Sequence, residues 1–105
     1  MKVLYKLIVL SFLKKEEKIS FSFKIEHIFS TLLGIITDVP SLVKEMSEEE
    51  LIIHQGLYEN TNSYKNLTIT EKGIQYLNEN LDQIIIPENE FNEVHLDRIK
   101  KILSF

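Results

Sequence analysis

The residues able to do chemistry are few and scattered. The 105-residue chain holds three histidines, His27, His54 and His95, and no cysteine. A metal site built on one helix needs ligands three or four residues apart, or Cys and His at short fixed spacing. None of the three histidines has such a partner, so each reads as an ordinary core or surface residue. The absence of cysteine excludes a disulfide framework, a thiolate zinc site and a thiol nucleophile. Gly34, Gly56 and Gly73 stand too far apart to form a phosphate-cradling loop. Glu48, Glu49 and Glu50 are adjacent carboxylates, but successive helical residues point in different directions. They read as a solvated acidic edge rather than a catalytic pair. Asn66-Leu67-Thr68 fits a glycosylation triplet, yet nothing else in the chain suggests secretion. The expectation is a non-enzyme with no metal and no cofactor.

Composition points to one ordinary globular domain. The chain is 44% hydrophobic and 27% charged, with three Gly and two Pro. Its formal net charge is −4, and the charge is unevenly spread. Residues 1–24 carry six Lys against two Glu, whereas residues 25–60 carry one Lys against seven acids. A dedicated nucleic-acid binder usually has an excess of Lys and Arg, because phosphate contacts supply most of the affinity. Here the only arginine is Arg98.

The positioning elements follow from periodicity. Residues 2–14 place Val3, Leu4, Leu7, Ile8, Leu10 and Phe12 at helical spacing, apolar nearly all round. Lys6 interrupts the apolar run and no small-residue cleavage site follows. The segment therefore reads as a buried first helix and not a leader. The uncharged stretch 7–13 is far short of the roughly 20 residues that span a bilayer, and the chain is expected in the cytoplasm. Residues 18–25 alternate, with Ile19, Phe21, Phe23 and Ile25 on the inward face of a strand. Near residue 24 the period becomes helical, through Ile28, Phe29, Leu32 and Leu33, and Gly34 marks a stop. Asp38 and Pro40 open another helix. Two readings of its end stand. Ser47-Glu48-Glu49-Glu50 matches a capping box and could open a separate helix. Alternatively the helix runs to about Glu50 and Leu51–His54 begins a strand, which the paired isoleucines favour. Residues 59–66, ENTNSYKN, form a polar hairpin loop. Leu67 and Ile69 alternate with threonines, and Thr70 caps a helix containing Ile74, Tyr76, Leu77 and Leu81. An extended Ile84-Ile85-Ile86-Pro87 leads to a last helix from about 89 to 104.

This order suggests an α+β winged helix: a three-helix core, a β-hairpin wing and an additional C-terminal helix. Residues 42–77 resemble the recognition helix, wing and following helix of small bacterial and phage winged-helix proteins. The nearest flavour is YjcQ-like, with MarR-like and PadR-like regulators further away. The resemblance is carried by Ile69-Thr70-Glu71-Lys72-Gly73-Ile74-Gln75-Tyr76-Leu77, similar to the family's Leu-Thr-x-x-Gly-x-x-Tyr-Leu. One position departs from it: Glu50 stands where the family has Gly before Leu-Ile. The resemblance implies a domain over residues 1–83, a helical extension over 84–105, and DNA binding in transcriptional regulation. The recognition helix would enter the major groove. Ser41, Lys44 and Glu45 would face bases, with Asn62, Tyr64 and Lys65 on the wing.

Electrostatics argues against that function. Residues 38–50 hold Asp38, Glu45, Glu48, Glu49 and Glu50 against Lys44 alone. Lys14, Lys15, Lys18 and Lys24 would compensate only if the fold brought them to the same face. The alternative is a protein-interaction module whose acidic surface meets a basic protein partner, for example as an inhibitor of a host nucleic-acid enzyme. Neither reading involves a membrane. The last helix, with Ile102, Leu103 and Phe105, either packs on the first helix or makes a homodimer.

Overall fold

The computed structural model describes residues 2–104. Phe105 lies outside the described residues. The chain is α+β, with five α-helices and a three-stranded antiparallel sheet. The elements are α1 (Lys2–Glu16), β1 (Ile19–Phe21), α2 (Phe23–Leu32), α3 (Val39–Glu48), β2 (Ile52–Ile53), β3 (Lys65–Ile69), α4 (Glu71–Leu81) and α5 (Glu93–Ile102). A single 3-10 turn, Glu88–Glu90, precedes α5. No described helix is long and apolar enough to cross a membrane.

Helix α1 is the central rod. Leu4, Leu7, Ile8, Val9, Leu10 and Leu13 are all buried, which leaves it no broad polar face. That requires cover on several sides, and α4, β3 and α5 supply it. Its lysines 14 and 15 sit in the last turn, where positive charge complements the helix dipole.

The sheet has the order β1-β3-β2. Ile19 pairs with Leu67 and Phe21 with Lys65, while Ile52 pairs with Ile69. The first strand thus closes on the third, tying residues far apart in sequence. The alternation in residues 18–25 overstates β1. The strand ends at Phe21, because Ser22 turns into helical dihedrals. Its hydroxyl accepts the Tyr64 amide at 2.9 Å, which fastens the hairpin to the start of α2. Phe23 is consequently not an inward strand residue. It opens α2 and is 58% exposed, while Ile25 is fully buried.

Helix α3 starts as expected. Asp38 accepts the Ser41 amide at 3.2 Å, and Pro40 lies in the first turn. It ends at Glu48, two residues early, and β2 follows without a separate helix. The break falls at Glu50, whose φ is +63°. This is the position where the resembled family carries glycine, the residue that adopts positive φ without steric cost. Glu50→Gly is therefore expected to raise the stability by about 0.5–1 kcal/mol. Chemical denaturation reads this as a higher midpoint, and an unchanged or lower midpoint would count against a left-handed Glu50.

The junction between β3 and α4 is held by Thr70. Its hydroxyl accepts the Gly73 amide at 2.9 Å and donates to the Glu50 carbonyl at 2.6 Å. The cap thus closes both the start of α4 and the end of α3. Gly73 lies so close to this junction that an added Cβ would sit 2.2 Å from the Leu51 carbonyl oxygen. The arms of the hairpin between β2 and β3 pair further out than expected, so its tip is shorter than the loop expected over residues 59–66. Leu57 bridges Tyr64, and Lys65 and Asn66 already belong to β3. Residues 58–63 form the tip, closed by Tyr58 N–H donating to the Ser63 carbonyl at 2.9 Å.

The last helix is shorter than the predicted 89–104 and is capped by Asn92, which accepts the His95 amide at 2.7 Å. Ile99 and Leu103 are buried in the same core as α1. These residues of the C-terminal extension are covered within one chain. The Arg98 guanidinium also donates to the Leu32 carbonyl at 3.0 Å, which pins α5 across the end of α2.

Candidate functional site

Helix α3 buries Val39, Leu42, Val43 and Met46. The spacing leaves Ser41 and Lys44 on its outer side, and the hairpin folds back beside them. Ser41, Lys44, Asn62 and Tyr64 line one groove of about 280 Å³, together with Asp38, Pro40 and Leu57. Four of the six residues expected at the site are thus brought together. Ser41 is already engaged, since its hydroxyl donates to the Asp38 carboxylate at 2.7 Å. The two Ser41 hydrogen bonds hold the Asp38 carboxyl below its usual pKa. Lys44 is exposed and makes no ion pair among the described residues. Tyr64 is half-buried, with its ring 4.5 Å from that of His54.

The other two expected residues are elsewhere. Glu45 does not face outward for bases. Its carboxylate takes the Lys6 ammonium at 2.8 Å and the Lys2 ammonium at 2.9 Å, both from α1. Glu45 falls on the flank of α3 that meets α1, one residue round from Lys44. Lys65 does not line the α3 groove. Its ammonium lies 5.9 Å from the centre of the Tyr58 ring.

The charge on α3 is offset by a route not evident in the sequence. Lys6 also binds Glu49, at 2.8 Å, and is only 7% exposed. Burial disfavours the Lys6 ammonium, but the bonds and charges of Glu45 and Glu49 outweigh it and raise its pKa above the usual lysine value. The same bonds, Lys6 first and then Lys2, lower the pKa of Glu45. Of the three successive glutamates, only Glu49 is neutralised this way, and Glu48 and Glu50 stay exposed without an ion-pair partner among the described residues. Lys14 and Lys15 line a separate hollow beside Leu77, Leu81 and Ile102. Lys24 lies beside the Phe21 ring, and none of Lys14, Lys15, Lys18 and Lys24 pairs with an α3 carboxylate among the described residues, so compensation comes from Lys2 and Lys6.

No family model, no curated protein and no solved structure matches this chain.

Each histidine contacts a neighbouring residue of the fold. His54 Nδ1 accepts the Gly56 amide at 2.9 Å, and His27 stacks on Phe23 with centroids 6.5 Å apart. His95 lies against Gly34. No group of three or more His, Asp or Glu among the described residues is placed to hold a metal ion. Sequence reading missed an aromatic cluster beside the groove. Phe21 meets Phe23 at 6.2 Å and Tyr58 at 6.1 Å. The alternation of residues 18–25 puts Phe21 and Phe23 on the strand's inward face, and nothing local to the sequence signals the turn at Ser22.

Proposed function

We propose that the chain is a winged-helix protein that binds double-stranded DNA, with α3 as the recognition helix and the β2–β3 hairpin as the wing. The order helix, strand, two helices and two strands, with the first strand paired to the last, supports the fold reading. The observation that carries the function is the shared groove, where Ser41 and Lys44 of α3 meet Asn62 and Tyr64 of the hairpin. The Lys2 and Lys6 pairs supply the missing electrostatic argument, since they neutralise Glu45 and Glu49 at the flank of α3.

Few cations are available for phosphate. Lys44 near α3 and Lys65 and Lys24 near the wing are the candidates, so the salt dependence is shallow. Three phosphate contacts correspond to a slope of log K against log salt of about −3. Fluorescence anisotropy with mixed-sequence duplex at rising salt measures it. Replacing both Lys44 and Lys65 by Ala is expected to reduce that slope by about two. No duplex binding at low salt overturns the reading. The exposed Glu48 and Glu50 would then favour the second one, a contact with a basic protein surface.

A further inference from the structure

Between β1, the start of α2 and the hairpin tip lies a cavity of about 350 Å³. That is the low end of the size of small-ligand pockets, about 300–1,000 Å³. Its walls include Phe21, Phe23 and Tyr58, with Asn62, Ser63 and Glu26 as polar lining. Phe23 and Tyr58 are 58% and 40% exposed, although folding buries most aromatic surface when it can. Two cations edge the cluster. The Lys24 ammonium is 5.5 Å from the centre of the Phe21 ring, and that of Lys65 is 5.9 Å from Tyr58. Pro40 and Asn62 line both this cavity and the α3 groove, so the two are neighbours.

We infer that this cavity takes an unpaired nucleobase of a DNA strand, stacked on Phe23 and Tyr58, with flanking phosphates met by Lys24 and Lys65. The inference extends the DNA reading of the α3 groove to the strand that leaves it. Exposed rings interleaved with lysines are the composition that single strands require, because every base offers a π-face and every nucleotide a phosphate. The Asn62 amide both donates and accepts, as a base edge does. The Glu26 carboxylate disfavours phosphate inside the cavity but accepts from an exocyclic amino group, as carboxylates do from cytosine. An acidic peptide would satisfy the lysines, but its carboxylates would meet Glu26 as like charges.

Anisotropy of the full chain with three probes tests this: a blunt duplex, the same duplex with a single-stranded cytidine overhang, and that overhang made abasic. The overhang is expected to tighten binding about 10-fold over the blunt duplex, and the abasic overhang to lose that gain. Phe23→Ala should abolish the difference between overhang and blunt duplex, and Phe23→Tyr should keep it. Phe23 lies on the surface, so both variants should keep the circular dichroism of the parent. Equal affinity for all three probes, with Lys44-dependent duplex binding intact, overturns the pocket and leaves the DNA reading standing. Overhang binding that survives Phe23→Ala also overturns it. Binding of the overhang strand with no affinity for the blunt duplex supports the pocket and removes the duplex reading. Absence of binding to every probe overturns both.

Discussion

Gly73→Ala is expected to destabilise the chain by about 3 kcal/mol or to prevent folding, although the same change in a helix normally stabilises by about 0.5–1 kcal/mol. Gly73 lies in the first turn of α4, at a backbone conformation that alanine adopts readily. The obstacle is space. A Cβ there would come within 2.2 Å of the Leu51 carbonyl oxygen and 2.9 Å of Ile69. Neither is the far end of a flexible side chain. The Leu51 carbonyl also accepts the Thr70 amide at 3.1 Å, so it cannot retreat without losing that bond. Relief would require α4 to move away from β2, and Leu77 of α4 is buried in the core. Thermal melts followed by circular dichroism should show a loss of about 10 °C or more, given about 4–8 °C per kcal/mol at this size. A neutral or stabilised variant would mean that the chains do not approach this closely in solution. The glycine in the family-like Thr-x-x-Gly stretch is thus explained by a contact between two backbones.

The second large effect is expected at Lys6. Lys6→Ala should cost about 1–3 kcal/mol, because it leaves Glu45 and Glu49 facing α1 without their shared cation and opens a gap where the lysine stem lay. The carboxylates are partly exposed, so water limits the loss below that of a fully buried pair. Lys6→Met keeps the packed volume but leaves the same carboxylates without their shared cation, so it should recover only the packing part of the loss. The pH dependence separates packing from charge. The Lys6 pKa is raised, so its contribution is complete below the ordinary lysine value and is lost as pH rises through the raised one. The Glu45 pKa is lowered, so its contribution is present above the ordinary carboxylate value and is lost as pH falls through the lowered one. The gap in melting temperature between the parent and Lys6→Ala should therefore be widest near neutral pH and narrow in acid below the carboxylate range. A gap unchanged from neutral pH into strong acid would leave only the packing term. On the proposed function, Lys6→Met also weakens DNA binding despite its near-complete burial. It removes one positive charge from the flank of α3, leaving Glu49 unpaired and Glu45 with Lys2 alone, and a loss of affinity by the folded variant is its signature.

Local patterns fixed by short-range physics were legible in the sequence. The apolar repeat of α1, the Asp38 and Thr70 caps and the paired isoleucines of β2 all formed where their residues indicated. Each depends on neighbours within a few positions, through helical spacing, side-chain capping or β-branching. Partnership across the chain decided the rest. Phe21, Ser22 and Phe23 read as one strand, but the Tyr64 amide, 42 residues away, finds the Ser22 hydroxyl and ends that strand. Together with the Ser22 N–H to the Tyr64 carbonyl and the Phe23 N–H to the Ser63 hydroxyl, this bond ties the start of α2 to the hairpin, with Phe23 exposed beside the aromatic cavity. The resemblance implies a base-facing Glu45, but α1 brings Lys2 and Lys6 against it. The acidic excess of residues 38–50 was plain from composition, and its partial neutralisation was not. Charge pairs and close backbone approaches join segments distant in sequence, so their partners are set only when the core closes.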